Sequence, residues 1–256
     1  MLSKSPTDAM AISSFLNAQT TKRITMIQTP TQKTVDEVIR SRHSIRAFLP
    51  TPVAQEDIEA ILEVAARAPS GSNTQPWRVY VVTGAARDRL AQNIVEAYLD
   101  PTQNAAHTEE YPYYPRQWVS PYIERRRKVG WDLYALLGLT RDNKTGMQAQ
   151  HARNFAFFDA PVGLIFTIDR VMDQGSWLDY GMFLQTLMIA ARARGLDTCP
   201  QAAFTQFHRL ISETLAIPAE QQVVCGMALG YADPAKAENS LMTERATVAE
   251  FATFMD

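Results

Sequence analysis

WLDYGMFLQTLMIAARARGL, residues 177–196, predicts one long helix in the interior of the protein. From Tyr180 to Ala193 the segment is apolar on almost every side, and Gly195 is well placed to end the helix. Such a helix needs apolar neighbours all round, because an apolar face left in water loses the free energy of burial. We therefore expect it to lie in a large core or against another subunit.

Helices and strands are mixed along the rest of the chain, and helices dominate. APVGLIFTI at 160–168 is an unbroken run of apolar residues, which is typical of a strand buried on both faces. Strands that lie far apart in the sequence must pair through long connections, so the sheet must be assembled from non-local segments. The other predicted strands are WRVYVVTG (77–84) and QVVCGMALGYAD (222–233), and the other predicted helices cover 34–42, 54–68, 85–99 and 205–216.

Composition and charge exclude several classes of partner. The net charge of -2 argues against a nucleic-acid or anionic-membrane surface. No apolar run reaches the about 18 residues that span a bilayer, and the N-terminus shows no secretory signal. Cys199 and Cys225 fit no disulfide or zinc pattern. We expect a cytoplasmic protein in which residues 1–33 form an N-terminal arm, mobile unless a partner orders it, and residues 34–256 form the folded domain.

Motifs of the common catalytic classes are absent from the sequence. It contains no GxGxxG after a first strand, no GxxxxGK[ST], no GxSxG and no HExxH. Its four histidines show no ligand spacing, so we expect no metal site. What the sequence offers instead is a capacity to bind an anion.

SRHSIR, residues 41–46, is the first candidate for an anion site. Arg42 and Arg46 are four residues apart, so they share a face of a helix or of the turn that leaves it. Arginine suits bidentate recognition of phosphate, and Ser41 and Ser44 can donate to the same anion. From the pattern alone, a helix end whose cations oppose the helix dipole explains these residues equally well.

Three further stretches receive no firm assignment from spacing alone. APSGSNTQPWR (68–78) offers backbone N–H groups and small hydroxyls, but it also fits an ordinary helix-to-strand turn. TCPQAAF (198–204) fits a plain connection between elements. Residues 100–147 are dense in aromatics, prolines and arginines, and a long segment of this kind inside a domain is usually functional.

Together these stretches resemble the flavin-dependent nitroreductase family, from about Thr34 to the C-terminus. SRHSIRAF, APSGSNTQPW, ARGLDTCPQAAF, MALGYADP and the late TER resemble the family's signatures in their order. The resemblance implies an α+β, nitroreductase-like fold: a central mixed β-sheet flanked by helices, built as an intertwined homodimer. It also implies flavin mononucleotide (FMN) in the interface, helix 178–194 packed against its dimer mate, and a last strand that the partner's C-terminal extension can contribute.

The same resemblance implies which residues hold the cofactor. Arg42 and Arg245 look like ligands of the flavin phosphate, and Arg46 looks like the cation that supports negative charge at the pyrimidine edge. Backbone N–H groups of Ala202 or Ala203 are expected to reach flavin N5, and residues 69–73 are expected to come from the second subunit. The full implied set is Arg42, His43, Ser44, Arg46, Pro69, Ser70, Ser72, Asn73, Pro200, Gln201, Ala202, Ala203 and Arg245.

The activity that the resemblance implies is a two-electron transfer. NADH or NADPH passes a hydride to FMN, and a nitroaromatic or quinone then takes the electrons in ping-pong kinetics, so no side chain is an obligatory catalyst. Flavin reduction, reductive dehalogenation and azoline dehydrogenation are alternatives on the same scaffold. Flavin binding without turnover and a helical interaction protein without cofactor are further alternatives. The excursion at 100–147 is expected to act as a lid, with substrate contacts from Tyr113, Tyr114, Trp118, Trp131 and Tyr134.

Overall fold

A computed structural model describes residues 34–255, and the arm predicted for residues 1–33 lies outside them. The helices in this range are α1 (Val35–Ser41), α2 (Gln55–Ala65), α3 (Gly84–Leu99), α4 (Pro101–Ala106), α5 (Tyr122–Leu136), α6 (Lys144–Ala152), α7 (Gln174–Ala193), α8 (His208–Thr214) and α9 (Val248–Phe251). The strands are β1 (Trp77–Thr83), β2 (Val162–Asp169), β3 (Asp197–Gln201) and β4 (Gln221–Gly230). None of these helices is both long and apolar enough to cross a membrane.

Helix α7 is the long helix predicted from residues 177–196. It runs for 20 residues and is followed by Gly195 with φ +78°, a conformation that favours glycine. One face of the helix, which includes Tyr180, Phe183 and Leu187, is buried in the core. The predicted helix and its predicted end are therefore confirmed.

The opposite face of α7 is exposed in the single chain. Leu178 is 71% exposed, and Gly181 and Gln185 on the same face are exposed as well. Burial on every side within a large core, one of the two predicted alternatives, is therefore wrong, because no element of residues 34–255 covers this face. Packing against a second subunit stays a prediction.

The four strands form one sheet in the order β1-β2-β4-β3, and every neighbouring pair is antiparallel. Among the described residues, parallel pairing is limited to a bridge between Ser44 and Thr198, beside β3. The α+β class is confirmed. The mixed character expected of the sheet is confined to that bridge, because the segment that runs parallel is too short to form a strand.

Residues 197–204, predicted as a plain connection, form β3 and the start of a 3-10 helix, Ala202–Phe207. The segment has no strand-like apolar run, and it contains Pro200, which cannot donate a hydrogen bond to a ladder. The proline is tolerated because β3 is the last strand in the sheet. The first residues of the helix predicted over 205–216 belong instead to this 3-10 helix. The α-helix α8 therefore begins after it, at His208.

Two hydrophobic clusters cover the two faces of the sheet. Along β2, Leu164 and Phe166 belong to one cluster and Ile165 to the other, as the two-residue period of a strand requires. Helices α2 and α7 pack on the first face, and α3 and α8 pack on the second. Strand β2 is thus buried on both faces, as its unbroken apolar run predicted, and the sheet is flanked by helices.

Two glycines in the strands make room for a stacked pair of rings. The rings of Phe157 and Phe204 lie with centroids 4.8 Å apart. They rest against Gly163 in β2 and Gly226 in β4, where an added Cβ would collide with them. Because Phe204 belongs to the 3-10 helix after β3, its contact with Gly226 fixes that helix on the sheet.

Candidate active site

Residues 42–46 leave the end of α1 and run beside β3. Ser44 pairs with Thr198, and the Ile45 N–H donates to the Thr198 carbonyl at 3.1 Å. Ile45 is buried, whereas Arg42 and Arg46 on either side of it are half-buried. The short pairing therefore holds both arginines at the edge of the sheet.

Arg42, Arg46 and Arg245 have no carboxylate partner in the described part of the chain. Arg46 donates through Nη1 to the Ser44 carbonyl at 3.2 Å, and Arg245 donates to the Glu244 carbonyl at 3.0 Å. The Arg42 side chain forms no hydrogen bond or ion pair with any described residue. Arg42 and Arg46 are half-buried and Arg245 is exposed, and guanidinium groups without acids are suited to an external anion.

The three cations are linked electrostatically: Arg245 acts on Arg42, and Arg42 and Arg46 both act on the Cys199 thiol. Burial, followed by the charge of Arg245, lowers the pKa of Arg42. Burial also raises the pKa of the Cys199 thiol in β3 to about 11, against the opposing charges of Arg46 and Arg42. We call Arg42, Arg46 and Arg245 the arginine cluster. An anion bound among them would relieve their mutual repulsion, and phosphate oxygens match guanidinium donors.

The ring of His43 lies between two backbone carbonyls. Its Nδ1 is 3.0 Å from the Ser41 carbonyl oxygen, and its Nε2 is 3.0 Å from the Asn239 carbonyl oxygen. The Ser41 hydroxyl is also occupied, because it donates to the Val38 carbonyl and accepts from Arg192. These side chains therefore hold the segment in place. Their expected contacts with an anion stay a prediction.

The C-terminal end of α7 supports the arginine cluster. Arg192 bonds through Nε to Ser41 Oγ at 3.2 Å and through Nη1 to Asp197 Oδ1 at 2.9 Å. Asp197 is buried, and burial raises its pKa, although the charges of Arg192 and His43 act in the opposite direction. The ion pair connects α7, β3 and the end of α1, so it fixes the base on which residues 42–46 lie.

The loop after α2 is held near the other end of α7. The Gly71 N–H donates to Asp179 Oδ2 at 3.0 Å. Ser72 and Asn73 have φ values of 51° and 58°, a left-handed conformation that residues with side chains adopt at a cost. The predicted site residues in this loop are exposed or half-buried: Pro69, Ser70, Ser72 and Asn73.

Within one chain, this loop and the arginine cluster are far apart. Asp179 and Arg192 are thirteen residues apart in α7, and at 1.5 Å per residue the distance along the helix is about 20 Å. The single chain thus brings Arg42, Arg46 and Arg245 together, but it does not bring residues 69–73 to them.

The residues after Cys199 have a buried and an accessible part. Gln201 is buried, and its Nε2 donates to the Asn154 carbonyl at 2.6 Å. Pro200 is exposed, while Ala202 and Ala203 are half-buried at the start of the 3-10 helix. The first N–H groups of a helix have no partner within it. A ligand can therefore meet Pro200 and the main chain of 202–203, but the Gln201 amide lies in the interior.

The excursion at 100–147 contains α4, α5 and the start of α6, and it carries a group of exposed rings. The Tyr114 ring lies 4.7 Å from the Tyr113 ring and 5.4 Å from the Trp118 ring, centroid to centroid. Arg126 lies over the Trp118 ring at 4.9 Å. Tyr113 and Tyr114 remain 50% and 52% exposed, so a planar ligand has access to them.

A second pair of rings lies on α5. Trp131 and Tyr134 have centroids 5.9 Å apart, and Arg141 lies over Trp131 at 4.6 Å. Helix α5 also faces the C-terminal segment across a cleft of about 970 Å³, which Arg245 lines together with Arg125. Through this cleft, the excursion reaches Arg245 of the arginine cluster.

An antiparallel sheet between helical layers, with an unpaired arginine cluster at its edge, defines an α+β protein with a site suited to a phosphorylated ligand. The chain belongs to the nitroreductase family, whose family model matches residues 39–231. It is 44% identical to the chloronitrobenzene nitroreductase of Comamonas testosteroni over 226 residues, which cover 88% of this chain and 99% of that protein. It is also 44% identical to the 4-nitrobenzoate reductase of Pseudomonas putida over 220 residues, which cover 86% of this chain and 95% of that protein.

Solved structures agree with this assignment. The crystal structure of the FMN and NADPH-dependent nitroreductase NfnB from Sphigopyxis sp. strain HMH matches with a TM-score of 0.84 and 35% identity, covering 88% of this chain and all of that one (100%). The FMN-dependent nitroreductase NfnB from Mycobacterium smegmatis, in complex with NADPH, matches with a TM-score of 0.81 and 34% identity, covering 86% of this chain and 97% of that one. The nitroreductase-like fold is therefore confirmed.

Three residues that hold the site were not predicted from the sequence: Asp179, Arg192 and Asn239. Each acts on a segment that is distant along the chain, as when Asn239 Oδ1 accepts from the Arg46 N–H at 2.8 Å across 193 positions. Asn is also a common turn residue, so no local pattern separates this role from an ordinary turn.

Proposed function

We propose that this chain is an FMN-dependent oxidoreductase that uses NADH or NADPH to reduce nitroaromatic compounds. The observation that carries the proposal is the arginine cluster, whose three cations have no carboxylate partner among the described residues. Two relatives at 44% identity are named for the reduction of chloronitrobenzene and of 4-nitrobenzoate. A structural relative is named as FMN and NADPH-dependent. Quinones are the second class of acceptor that we expect.

FMN fits the arginine cluster because its phosphate supplies the negative charge that the cluster lacks. Arg42 and Arg245 would bind the phosphate oxygens, with Ser44 beside them. An arginine with a purely structural role is different: Arg153 pairs with buried Glu238 at 2.7 Å. The contrast supports a ligand-binding role for the cluster.

Arg46 would act on the ring rather than on the phosphate. Bound FMN would supply the two-electron chemistry between NADH or NADPH and the acceptor. Arg46 would provide a positive charge at the pyrimidine edge of the ring, and its bond to the Ser44 carbonyl orients the guanidinium. The main-chain N–H of Ala202 or Ala203 would donate at N5. Water supplies the protons, so the chain needs no acid or base of its own.

The complete site would require two copies of the chain. Residues 69–73 lie about 20 Å along α7 from the arginine cluster, while the face of α7 that carries Leu178 is exposed. If two α7 helices pack antiparallel about a twofold axis, the Asp179 end of one helix meets the Arg192 end of the other. The loop of one subunit then reaches the cluster of its partner. We therefore propose a homodimer with an FMN site at each of two symmetric positions.

The exposed rings of the excursion would cover the acceptor. Tyr113, Tyr114 and Trp118 offer faces and edges on which a planar nitroarene can stack, and Trp131 and Tyr134 extend the apolar surface of α5. Arg126 is held over Trp118 and can pair with a carboxylate on a substrate ring. A cytoplasmic location stays a prediction.

A steady-state assay tests the proposed function. The purified protein is mixed with NADH or NADPH and with nitrobenzene, 4-nitrobenzoate or a benzoquinone, and nicotinamide oxidation is followed together with the nitro product. We expect the hydroxylamine as product and parallel double-reciprocal lines, because donor and acceptor use one site in turn. Free FMN as acceptor tests for flavin reductase activity. A protein that oxidises neither nicotinamide with any of these acceptors contradicts the proposal.

A further inference from the structure

The side chain of Asn239 joins residues 46–47 to the C-terminal segment. Its Oδ1 accepts from the N–H groups of Arg46 and Ala47 at 2.8 and 3.1 Å. Its Nδ2 donates to the carbonyls of Ala47 and Asp233 at 2.8 and 2.9 Å. An amide side chain has two donor hydrogens and two acceptor lone pairs, so these four bonds use its full capacity.

The main chain of Asn239 strengthens the same connection. Its carbonyl oxygen lies 3.0 Å from Nε2 of His43, whose other ring nitrogen faces the Ser41 carbonyl. Asn239 therefore contacts the segment that carries Arg42 and Arg46 at both of its ends. Its own segment continues, six residues later, to Arg245. Asn239 thus lies between the two parts of the arginine cluster that come from opposite ends of the sequence.

The neighbouring residue fixes the same turn in a different way. Glu238 is 5% exposed and pairs with Arg153, which also pairs with Asp159 at 2.9 Å. This ion-pair group ties the turn to the end of α6 and not to residues 42–47. The two adjacent residues therefore have separable tasks: Glu238 anchors the turn to the core, and Asn239 connects the turn to the arginine cluster.

We propose that Asn239 is the positioning residue of the arginine cluster: by holding the main chain of residues 43–47 it sets the place of the Arg46 guanidinium, and with it the reduction potential of bound FMN, and the place of Arg42, and with it the affinity for FMN. The inference rests on the proposed function, in which the cluster binds FMN. Loss of the amide leaves the N–H groups of Arg46 and Ala47 without partners and leaves the Ala47 carbonyl with the Asp233 N–H as its one donor, and Ala47 is only 2% exposed. Buried groups in that state shift until they find new partners, which moves the guanidinium. Electrostatic support of a developing charge depends strongly on that position.

Asn239→Leu tests the inference, because it removes all four bonds while keeping the branched shape of the side chain. Glu238→Gln is the matched control, since it weakens the anchor of the same turn without touching residues 42–47. For each protein, FMN affinity is measured by titration of the apoprotein, the midpoint potential by equilibration with a reference dye, and the melting temperature by calorimetry. Asn239→Ser, whose hydroxyl retains one donor and one acceptor, serves if the leucine variant does not fold.

We expect Asn239→Leu to weaken FMN binding about tenfold or more, where tenfold corresponds to about 1.4 kcal/mol, and to lower the midpoint potential. Asn239→Ser should change both in the same direction by less. Glu238→Gln should lower the melting temperature and leave the potential unchanged. The inference is overturned if the Asn239 variants keep the wild-type affinity and potential, or if Glu238→Gln shifts them equally for the same loss of melting temperature. If the wild-type protein binds no FMN, the proposed function fails first, and the two failures are thus distinguishable.

Discussion

At the scale of single residues, the arginines of the cluster differ in what holds them. The Arg42 side chain has no partner among the described residues, whereas Arg46 is oriented by the Ser44 carbonyl at 3.2 Å. A guanidinium without a partner is available for a phosphate, and an oriented one is suited to a fixed position beside a ring. We therefore expect the same sequence motif to contain one arginine that binds FMN and one that tunes its reduction potential.

Arg42→Ala is expected to weaken FMN binding by about tenfold to a hundredfold, because charge-assisted hydrogen bonds to the phosphate are lost. Arg46→Ala is expected to lower the midpoint potential of bound FMN while retaining much of the affinity. Titration of the apoprotein and dye equilibration measure the two quantities. Arg40→Ala is the control, since Arg40 lies on α1 just before this motif, is exposed, and among the described residues pairs with Asp36. Equal effects of Arg42→Ala and Arg46→Ala on both quantities would contradict this division.

At the scale of secondary-structure elements, the 3-10 helix after β3 depends on glycine in β4. Phe204 packs directly on Gly226, and this contact fixes the helix whose first residues are expected to meet the flavin. A methyl group at position 226 would push the ring away from the sheet. This displacement would lower the stability of the fold and change the geometry of the site.

Gly226→Ala is therefore expected to reduce the free energy of unfolding by about 1–3 kcal/mol, the usual cost of overpacking a core. Gly130→Ala is the matched control, because a Cβ at Gly130 in α5 meets nothing within 4 Å. That substitution should instead stabilise the helix, by up to about 1 kcal/mol. Chemical denaturation of both variants measures the difference. A Gly226→Ala protein as stable as the wild type would show that Phe204 can move freely.

Helix α7 is the element on which the proposed dimer depends. Leu178→Arg places a charge on its exposed face, and we expect it to weaken the dimer and, with it, FMN binding, because residues 69–73 would then no longer reach the partner's cluster. Val171→Arg is the control, since Val171 is 82% exposed and precedes the helix. Sedimentation velocity gives the oligomeric state. Dimers of unchanged affinity in the Leu178→Arg variant would exclude this face as the interface.

The sequence predicted elements that carry a periodic signal more reliably than contacts that bridge distant segments. The unbroken run at 160–168 predicted β2, and the all-round apolar segment predicted α7. Strand β3 was not predicted, because five residues with a proline have no strand pattern of their own and are ordered by pairing with β4. Asn239 was not predicted either, because its partners lie nearly two hundred positions away.

The candidate site was predicted only in part, because contacts between distant segments leave no local pattern in the sequence. Arg42, Arg46 and Arg245 stand in recognisable motifs, and the fold brings them together. His43 was expected to bind the cofactor, and this stays a prediction; the contacts of its ring with two backbone carbonyls are a role that residue type alone cannot reveal. The proposed contribution of residues 69–73 would depend on a second copy of the chain.

At the scale of the whole molecule, the sheet provides a rigid edge, the two ends of the chain place cations along it, and α7 separates the two half-sites. We propose that this arrangement forms an FMN site, in which the protein would orient and stabilise the cofactor and the cofactor would supply the electron transfer. The proposed function therefore requires one property of the intact protein. Bound flavin must accept electrons from a nicotinamide and release them to a nitroarene.

Anaerobic titration of the purified holoprotein tests this electron transfer most directly. NADPH or NADH is added until the visible absorbance of the bound flavin is bleached, and one equivalent of nitrobenzene or 4-nitrobenzoate is then added. We predict that at least one nicotinamide bleaches the flavin absorbance and that the absorbance recovers rapidly when the nitroarene is added. Flavin that neither nicotinamide bleaches, or reduced flavin that the nitroarene does not reoxidise, would contradict it.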